Sequence, residues 1–127
     1  MMRTLLESKL HRVTVTQTEL HYEDSCAMDE DLLEAADLRE YERVDICNVN
    51  SGQRFSTHEV KAPRGSGTSC MMGAAARLAS AGDRPIVAAY ASFDERELPG
   101  FKPRVVRVDE ENHILDVESA SAGLPRP

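Results

Sequence analysis

The feature that most constrains the fold is a pair of short alternating segments joined by a turn signal. Between Arg43 and Val49, Val44 and Ile46 fall in one register, and Gln53–Val60 alternates in the same way. A period of two is the pattern of a half-buried β-strand. The intervening residues 50–52, Asn-Ser-Gly, are typical of a tight turn. The two segments therefore predict a β-hairpin.

The second segment of this hairpin has one polar face. Alternation places Arg54, Ser56 and His58 on one side and Phe55 and Thr57 on the other. Arg54 and His58 would then lie about 13 Å apart along the strand. A face of this kind is either solvated or part of a binding site, and the pattern alone leaves both open.

Other segments extend the prediction to a mainly β chain with short helices. Strands are predicted at 10–16, 85–93, 104–108 and 114–117, and helices at 29–38 and 70–80, with Asp29 capping the first helix. Many short strands and two short helices favour a small β-barrel over a βαβ sheet. In the first strand, the alternation puts Lys9 and His11 on the same face as the inward Val13 and Val15.

Length and composition exclude several classes of protein. The 127 residues suit a single domain, and the 41% hydrophobic content is enough for a core. A net charge of −7 argues against a nucleic-acid partner. Apolar runs are too short to span a bilayer, and the N-terminus lacks a signal segment, so we expect a cytoplasmic protein without membrane contact.

Cysteine and histidine spacing predicts neither a disulfide framework nor a metal site. The three cysteines are an odd number and form no CxxC pair, and His11 and His21 have no partners at ligand spacing. We expect small buried thiols and no metal.

Four stretches of the chain resemble the pyruvoyl-dependent aspartate 1-decarboxylases, and the likeness extends along nearly its whole length. They are residues 9–12, Lys-Leu-His-Arg; 21–26, His-Tyr-Glu-Asp-Ser-Cys; 54–58, Arg-Phe-Ser-Thr-His; and 73–76, Gly-Ala-Ala-Ala. The resemblance implies a double-psi β-barrel over residues 1–127 that assembles as a homotetramer. It also implies decarboxylation of L-aspartate to β-alanine and CO₂, feeding pantothenate synthesis.

The resemblance further implies that the chain is a precursor that cuts itself. Cleavage between Asp24 and Ser25 would give residues 1–24 and 25–127, and Ser25 would become the pyruvoyl cofactor. The pyruvoyl ketone forms a Schiff base with the amine of the amino-acid substrate and accepts the electrons left by CO₂. Whether an accessory maturation factor is needed is left open.

The remaining roles are carried over position by position. Arg54 would clamp a substrate carboxylate, Lys9 and His11 would add positive potential and hydrogen bonds, and the backbone of residues 73–75, Gly73, Ala74 and Ala75, would help to hold substrate. Thr57 would polarise the carbonyl attacked in self-cleavage. Because Thr57 alternates away from Arg54, the pattern suggests a bulge or a subunit boundary. Tyr22 also matches the family pattern.

Three departures from the family pattern bear on function. Asp24 stands where the family has glycine, His58 where it has the tyrosine that reprotonates the decarboxylated carbon, and Met72 where it has asparagine. Histidine can donate a proton, so His58 is the predicted catalytic acid. Two alternatives follow from the departures: a paralogue that acts on another amino acid, or an uncleaved binding or assembly protein.

Overall fold

The computed structural model describes residues 1–23 and 25–119, and over these ranges the chain is mainly β. This confirms the predicted fold class. The strands are β1 Met2–His11, β2 Gln17–Glu19, β3 Ser25–Asp29, β4 Arg43–Cys47, β5 Arg54–Ala62, β6 Ser69–Met72, β7 Ile86–Asp94, β8 Arg104–Val108 and β9 Ile114–Glu118. The helix α1 spans Glu30–Ala35, and two 3₁₀ turns span Gly73–Arg77 and Glu95–Glu97.

The nine strands of the described residues belong to one mixed sheet. Its order is β2-β6-β3-β5-β4-β7-β1-β8-β9, and the pairs β1–β8, β2–β6 and β3–β5 are parallel. This arrangement is consistent with the double-psi β-barrel implied by the resemblance. The short strand β3 lies between β5 and β6, so it is hydrogen-bonded on both edges.

The predicted hairpin is confirmed as β4 and β5. The two strands pair antiparallel from Arg43 opposite His58 to Cys47 opposite Arg54, and Gly52 takes a φ of 81° in the turn. Between Ser56 and Val60 the exposed or partly exposed positions of β5 alternate with buried ones, and Thr57 points inward. The register of the β4–β5 ladder is unbroken, so the ladder contains no bulge that would bring Thr57 and Arg54 to the same face.

The predicted orientation of Lys9 and His11 is wrong. Ser8 and Leu10 are buried at 1% and 0% exposure, so Lys9 and His11 lie on the outer side of β1. The strand ends at His11, and Arg12 has a φ of 64°. A positive φ reverses the chain locally, and the inward alternation of the following valines therefore does not continue into β1. The predicted strand over 10–16 joined two segments of different phase.

The predicted helix at 70–80 is also wrong. Ser69–Met72 is strand β6, paired antiparallel with β3, and only a 3₁₀ turn follows it. Gly73 has a φ of 68°, a conformation that glycine adopts at little cost and that turns the chain at the end of β6. Sheet pairing between distant segments has overridden the local preference of the small residues for a helix.

Asp29 fixes the end of β3. Its buried carboxylate accepts hydrogen bonds from the backbone N–H of Asp31 at 2.8 Å, of Gly65 at 3.0 Å and of Gly67 at 2.8 Å. The first of these caps α1, as predicted, and the other two hold the 63–68 loop against it. One side chain therefore connects β3, α1 and the loop that leads into β6.

We expect Asp29→Ala to lower the free energy of unfolding by about 2–4 kcal/mol, because a helix cap and two further bonds to a charged acceptor are lost. Asp29→Asn, which keeps one carbonyl oxygen, should lose less. Urea titration of both variants in an uncleavable Ser25→Ala background measures this. Equal stability of Asp29→Ala and its parent would contradict the assignment of Asp29 as the anchor.

Candidate active site

Ser25 lies at the buried beginning of β3, with a different strand on each side. It is 4% exposed, and its Oγ donates a long hydrogen bond of 3.4 Å to the carbonyl oxygen of Glu23. On the β6 side it pairs with Met72. On the β5 side Cys26 pairs with Glu59, so the same register places His58 beside Ser25.

Ser25, His58 and Met72 therefore share one face of the sheet, because residues that pair across strands point to the same side. Two of the three departures from the family pattern flank the serine directly. His58 is partly exposed, and its ring lies 6.4 Å from that of Tyr41. Of the two flanking side chains, only the imidazole can exchange a proton. Asp24 lies outside the described residues.

Thr57 and the turn after β6 adjoin these three residues. Thr57 is 8% exposed, and its Oγ1 has no hydrogen-bond partner among the described residues. It precedes His58 and faces the interior. Gly73 is buried and follows Met72, so the predicted substrate-holding segment Gly73–Ala75 begins next to Ser25.

Arg54 belongs to a second, separate surface. It begins β5, four residues before His58, and is exposed. It lines a shallow depression of about 260 Å³ together with Cys47 and Ile86, and a second one of about 220 Å³ that Arg43 and Asp45 also line. The rise along β5 puts the Cα atoms of Arg54 and His58 about 13 Å apart.

Lys9 and His11 are farther still from Ser25 within the sheet. Strands β5, β4 and β7 lie between β3 and β1, a path of about 19 Å at the usual spacing of strands. Burial lowers the pKa of His11, and the neighbouring Lys9, Arg107, Arg12 and Arg84 lower it further. A neutral imidazole suits hydrogen bonding better than the positive potential predicted for His11.

Glu59 is a residue at this site to which the sequence analysis gave no role. Its side chain is fully buried, and among the described residues its carboxyl group has no partner other than the thiol of Cys26, which is a weak hydrogen-bond donor. Burial raises the pKa of Glu59 to about 8; a contact with Cys26 opposes the shift, and the charge of Glu42 adds to it. The signal was present in the hairpin pattern, since Glu59 occupies the same inward register as Thr57.

Two other features were sought among the described residues, a metal site and a membrane-spanning helix. Within 1–23 and 25–119, no group of three or more His, Cys, Asp or Glu side chains is placed to bind a metal ion. No helix in the same ranges is long and apolar enough to cross a membrane.

Comparison with known proteins gives the family. Residues 1–115 match the aspartate decarboxylase family, and the chain belongs to that family.

Curated relatives match it over nearly their whole length. The aspartate 1-decarboxylase of Laribacter hongkongensis is 56% identical over 125 residues, which cover 98% of this chain and 96% of the relative. That of Methylobacillus flagellatus is 59% identical over 114 residues, 90% of each chain. The Chromobacterium violaceum aspartate 1-decarboxylase is 51% identical over 125 residues, 98% of this chain and 99% of the relative.

We expect Thr57→Val to leave the free energy of unfolding unchanged or to raise it by about 1 kcal/mol, because it removes a buried hydroxyl that lacks a described partner. Urea denaturation in the Ser25→Ala background measures the effect, with Thr57→Ser as the variant that keeps the hydroxyl. A loss of more than about 1 kcal/mol on Thr57→Val alone would show that the hydroxyl is bonded in the folded chain.

Proposed function

We propose that this chain is the precursor of a pyruvoyl-dependent aspartate 1-decarboxylase, which converts L-aspartate to β-alanine and CO₂. Its product would feed pantothenate synthesis, and its proposed location is the cytoplasm. The observation that carries the proposal is the position of Ser25, at the buried start of β3 between His58 and Met72, in a chain of the aspartate decarboxylase family.

The residues around Ser25 fit the formation of a pyruvoyl group. The Ser25 Oγ would bond to the Asp24 carbonyl carbon, and the peptide C–N bond would break as the proton of the hydroxyl passes to the nitrogen. The hydroxyl of Thr57, which has no partner among the described residues, would donate a hydrogen bond to that carbonyl oxygen. Loss of the Cα proton and cleavage of the Cβ–Oγ bond then release residues 1–24 as a carboxylate. Tautomerisation and addition of water leave a ketone at residue 25 and free ammonia.

When formed, the pyruvoyl group supplies an electron sink for the loss of CO₂. The surrounding chain would orient the substrate and deliver a proton. His58, beside residue 25 on the same face, is the proposed proton donor to the carbon that has lost CO₂. Met72 covers the opposite flank with an apolar side chain, and the turn formed by Gly73, Ala74 and Ala75 would present its backbone to the substrate.

A second copy of the chain is proposed to complete the site. Lys9, His11 and Arg54 carry the groups suited to a dicarboxylate, but they lie on the outer side of β1 and at the far end of β5 from Ser25. In the proposed homotetramer, this surface of one subunit would face Ser25 of another. The guanidinium of Arg54 would then bind a substrate carboxylate through two parallel hydrogen bonds.

The precursor should separate into residues 1–24 and a pyruvoyl-blocked chain of residues 25–127, and the cut protein should produce β-alanine from L-aspartate. Denaturing mass spectrometry after warm incubation detects the fragments, and chromatography detects the product. Ser25→Ala should stay whole. A wild-type chain that stays whole even with cell extract, which would supply any maturation factor, would favour an uncleaved binding or assembly protein. A cut chain inactive on aspartate would favour another amino acid.

Arg54→Lys should lower kcat/KM about tenfold to a hundredfold, because a point charge cannot replace a bidentate pair worth about 1.5–3 kcal/mol. Steady-state kinetics on fully cleaved protein measure this. Arg54→Lys kinetics equal to those of the parent would remove Arg54 from the site.

Subunit sharing is tested by refolding Ser25→Ala chains together with Arg54→Ala chains. Mixed tetramers should recover activity that neither variant has alone.

A further inference from the structure

Glu59 belongs to a small group of polar side chains inside the otherwise aliphatic core. We call this group the inner polar cluster: Cys26, Thr57, Glu59 and Ser69. All four are at most 8% exposed, and among the described residues the side-chain oxygens of Thr57, Glu59 and Ser69 have no partner stronger than the Cys26 thiol, which lies against Glu59 and Ser69. Buried polar groups are normally paired, so a cluster of poorly paired ones calls for a functional explanation.

Strand register shows what the cluster touches. Cys26 of β3 pairs with Glu59 of β5 on one side and with Met71 of β6 on the other, and Ser69 lies opposite Met28. Cys26 is covalently joined to Ser25, whose bond to Asp24 is the proposed cleavage site. The carboxyl group of Glu59 therefore lies against the second residue of the strand that positions the reacting serine.

The surroundings of Glu59 favour its neutral form. Among the described residues, two titratable groups act on it, the Cys26 thiol from β3 and Glu42 from the segment before β4, and neither carries positive charge. Burial, followed by Glu59 itself, raises the pKa of Cys26 as well. An ionised Glu59 would be a buried charge without a countercharge. Such a charge is relieved only by the entry of water or by movement of the packed strands.

The beginning of β3 is the part of the cluster best placed to move. Residues 20–23, which lead into it, are exposed and lie outside any strand. Beyond Met28, by contrast, β3 is fixed by the three hydrogen bonds to the Asp29 carboxylate. Displacement of Cys26 would therefore also displace Ser25.

We propose that Glu59 is a positioning residue for self-cleavage: as a neutral acid it packs against Cys26 and holds Ser25 in place, and its ionisation displaces the start of β3 and stops cleavage. This inference rests on the proposed self-cleavage at Ser25. Its sign is fixed. Because the pKa of Glu59 is raised to about 8, the folded chain keeps this proton up to that pH, and the competent form is lost above it.

The first test is the pH dependence of precursor cleavage, followed by intact mass, for wild type and Glu59→Gln. The amide of glutamine is a neutral isostere that cannot ionise, so the ratio of the two rates removes every pH effect that both chains share. With the pKa at about 8, this ratio should fall about thirtyfold between pH 7 and pH 9.5. A ratio that stays constant over this range overturns the proposal.

Glu42→Gln supplies a second variant that leaves Glu59 intact. The charge of Glu42 raises the pKa of Glu59, so its removal should move the loss of cleavage to lower pH. Glu110→Gln, a change at an exposed position, is the matched surface control and should leave the midpoint where wild type has it. Equal midpoints in all three proteins would contradict the role of Glu59.

Hydrogen exchange separates this inference from the proposed function. In an uncleavable Ser25→Ala background, amides of residues 25–28 should lose protection, by about tenfold relative to Ser25→Ala/Glu59→Gln, between pH 7 and pH 9.5. Precursor that never cleaves but shows this difference refutes self-cleavage and retains the Glu59 switch. Precursor that cleaves without any difference in exchange or in the rate ratio refutes the switch and retains self-cleavage.

Discussion

The structure depends on the pairing of β3 with a strand on each side. Its residues 26–29 pair with β5 and its residues 25–28 pair with β6, and Asp29 fixes its far end to α1 and to the 63–68 loop. A peptide bond can be cut at the edge of such a strand without loss of the strand, because the ladders on both sides hold it. This constraint also decides which side chains flank Ser25.

The core around β3 contains buried polar groups that lower stability but lie near the proposed cleavage site. An aliphatic interior gains from every apolar contact, yet here it contains a carboxylic acid and two hydroxyls with no described partner stronger than a thiol. A sequence optimised only for stability would replace them with apolar residues. Their presence beside the proposed cleavage site is the pattern expected where a fold has kept reactive polar groups at some cost.

The sequence predicted the parts of the fold that local patterns govern. The β4–β5 hairpin, β7, the β8–β9 hairpin and the Asp29 cap follow from alternation, turn residues and capping chemistry. The failures share a cause. At Arg12 and Gly73 a positive φ interrupts the alternation of inward and outward side chains. Before Gly73, residues 69–72 pair with the distant strand β3 instead of forming a helix.

The sequence proposed residues for the candidate site but could not supply their geometry. Ser25, His58 and Met72 meet because of the register between β3, β5 and β6, and that register links segments more than 30 residues apart in the sequence. Single-strand patterns do not contain it. For the same reason, patterns within single strands did not show that Lys9 and Arg54 lie apart from Ser25. This separation depends on the order of the strands in the sheet and on position along them.

The position of β1 has a consequence for how a mature protein would behave in solution. Residues 1–23 contribute β1 and β2, and β1 pairs with β7 along most of its length and with β8 on its other edge. After a cut beyond residue 24, these strands would belong to a separate peptide embedded in the sheet. Unfolding would then be a dissociation governed by mass action, and apparent stability would rise with protein concentration. The folded protein would then consist of two peptides, and refolding after dissociation would require the longer peptide to bind the N-terminal fragment again.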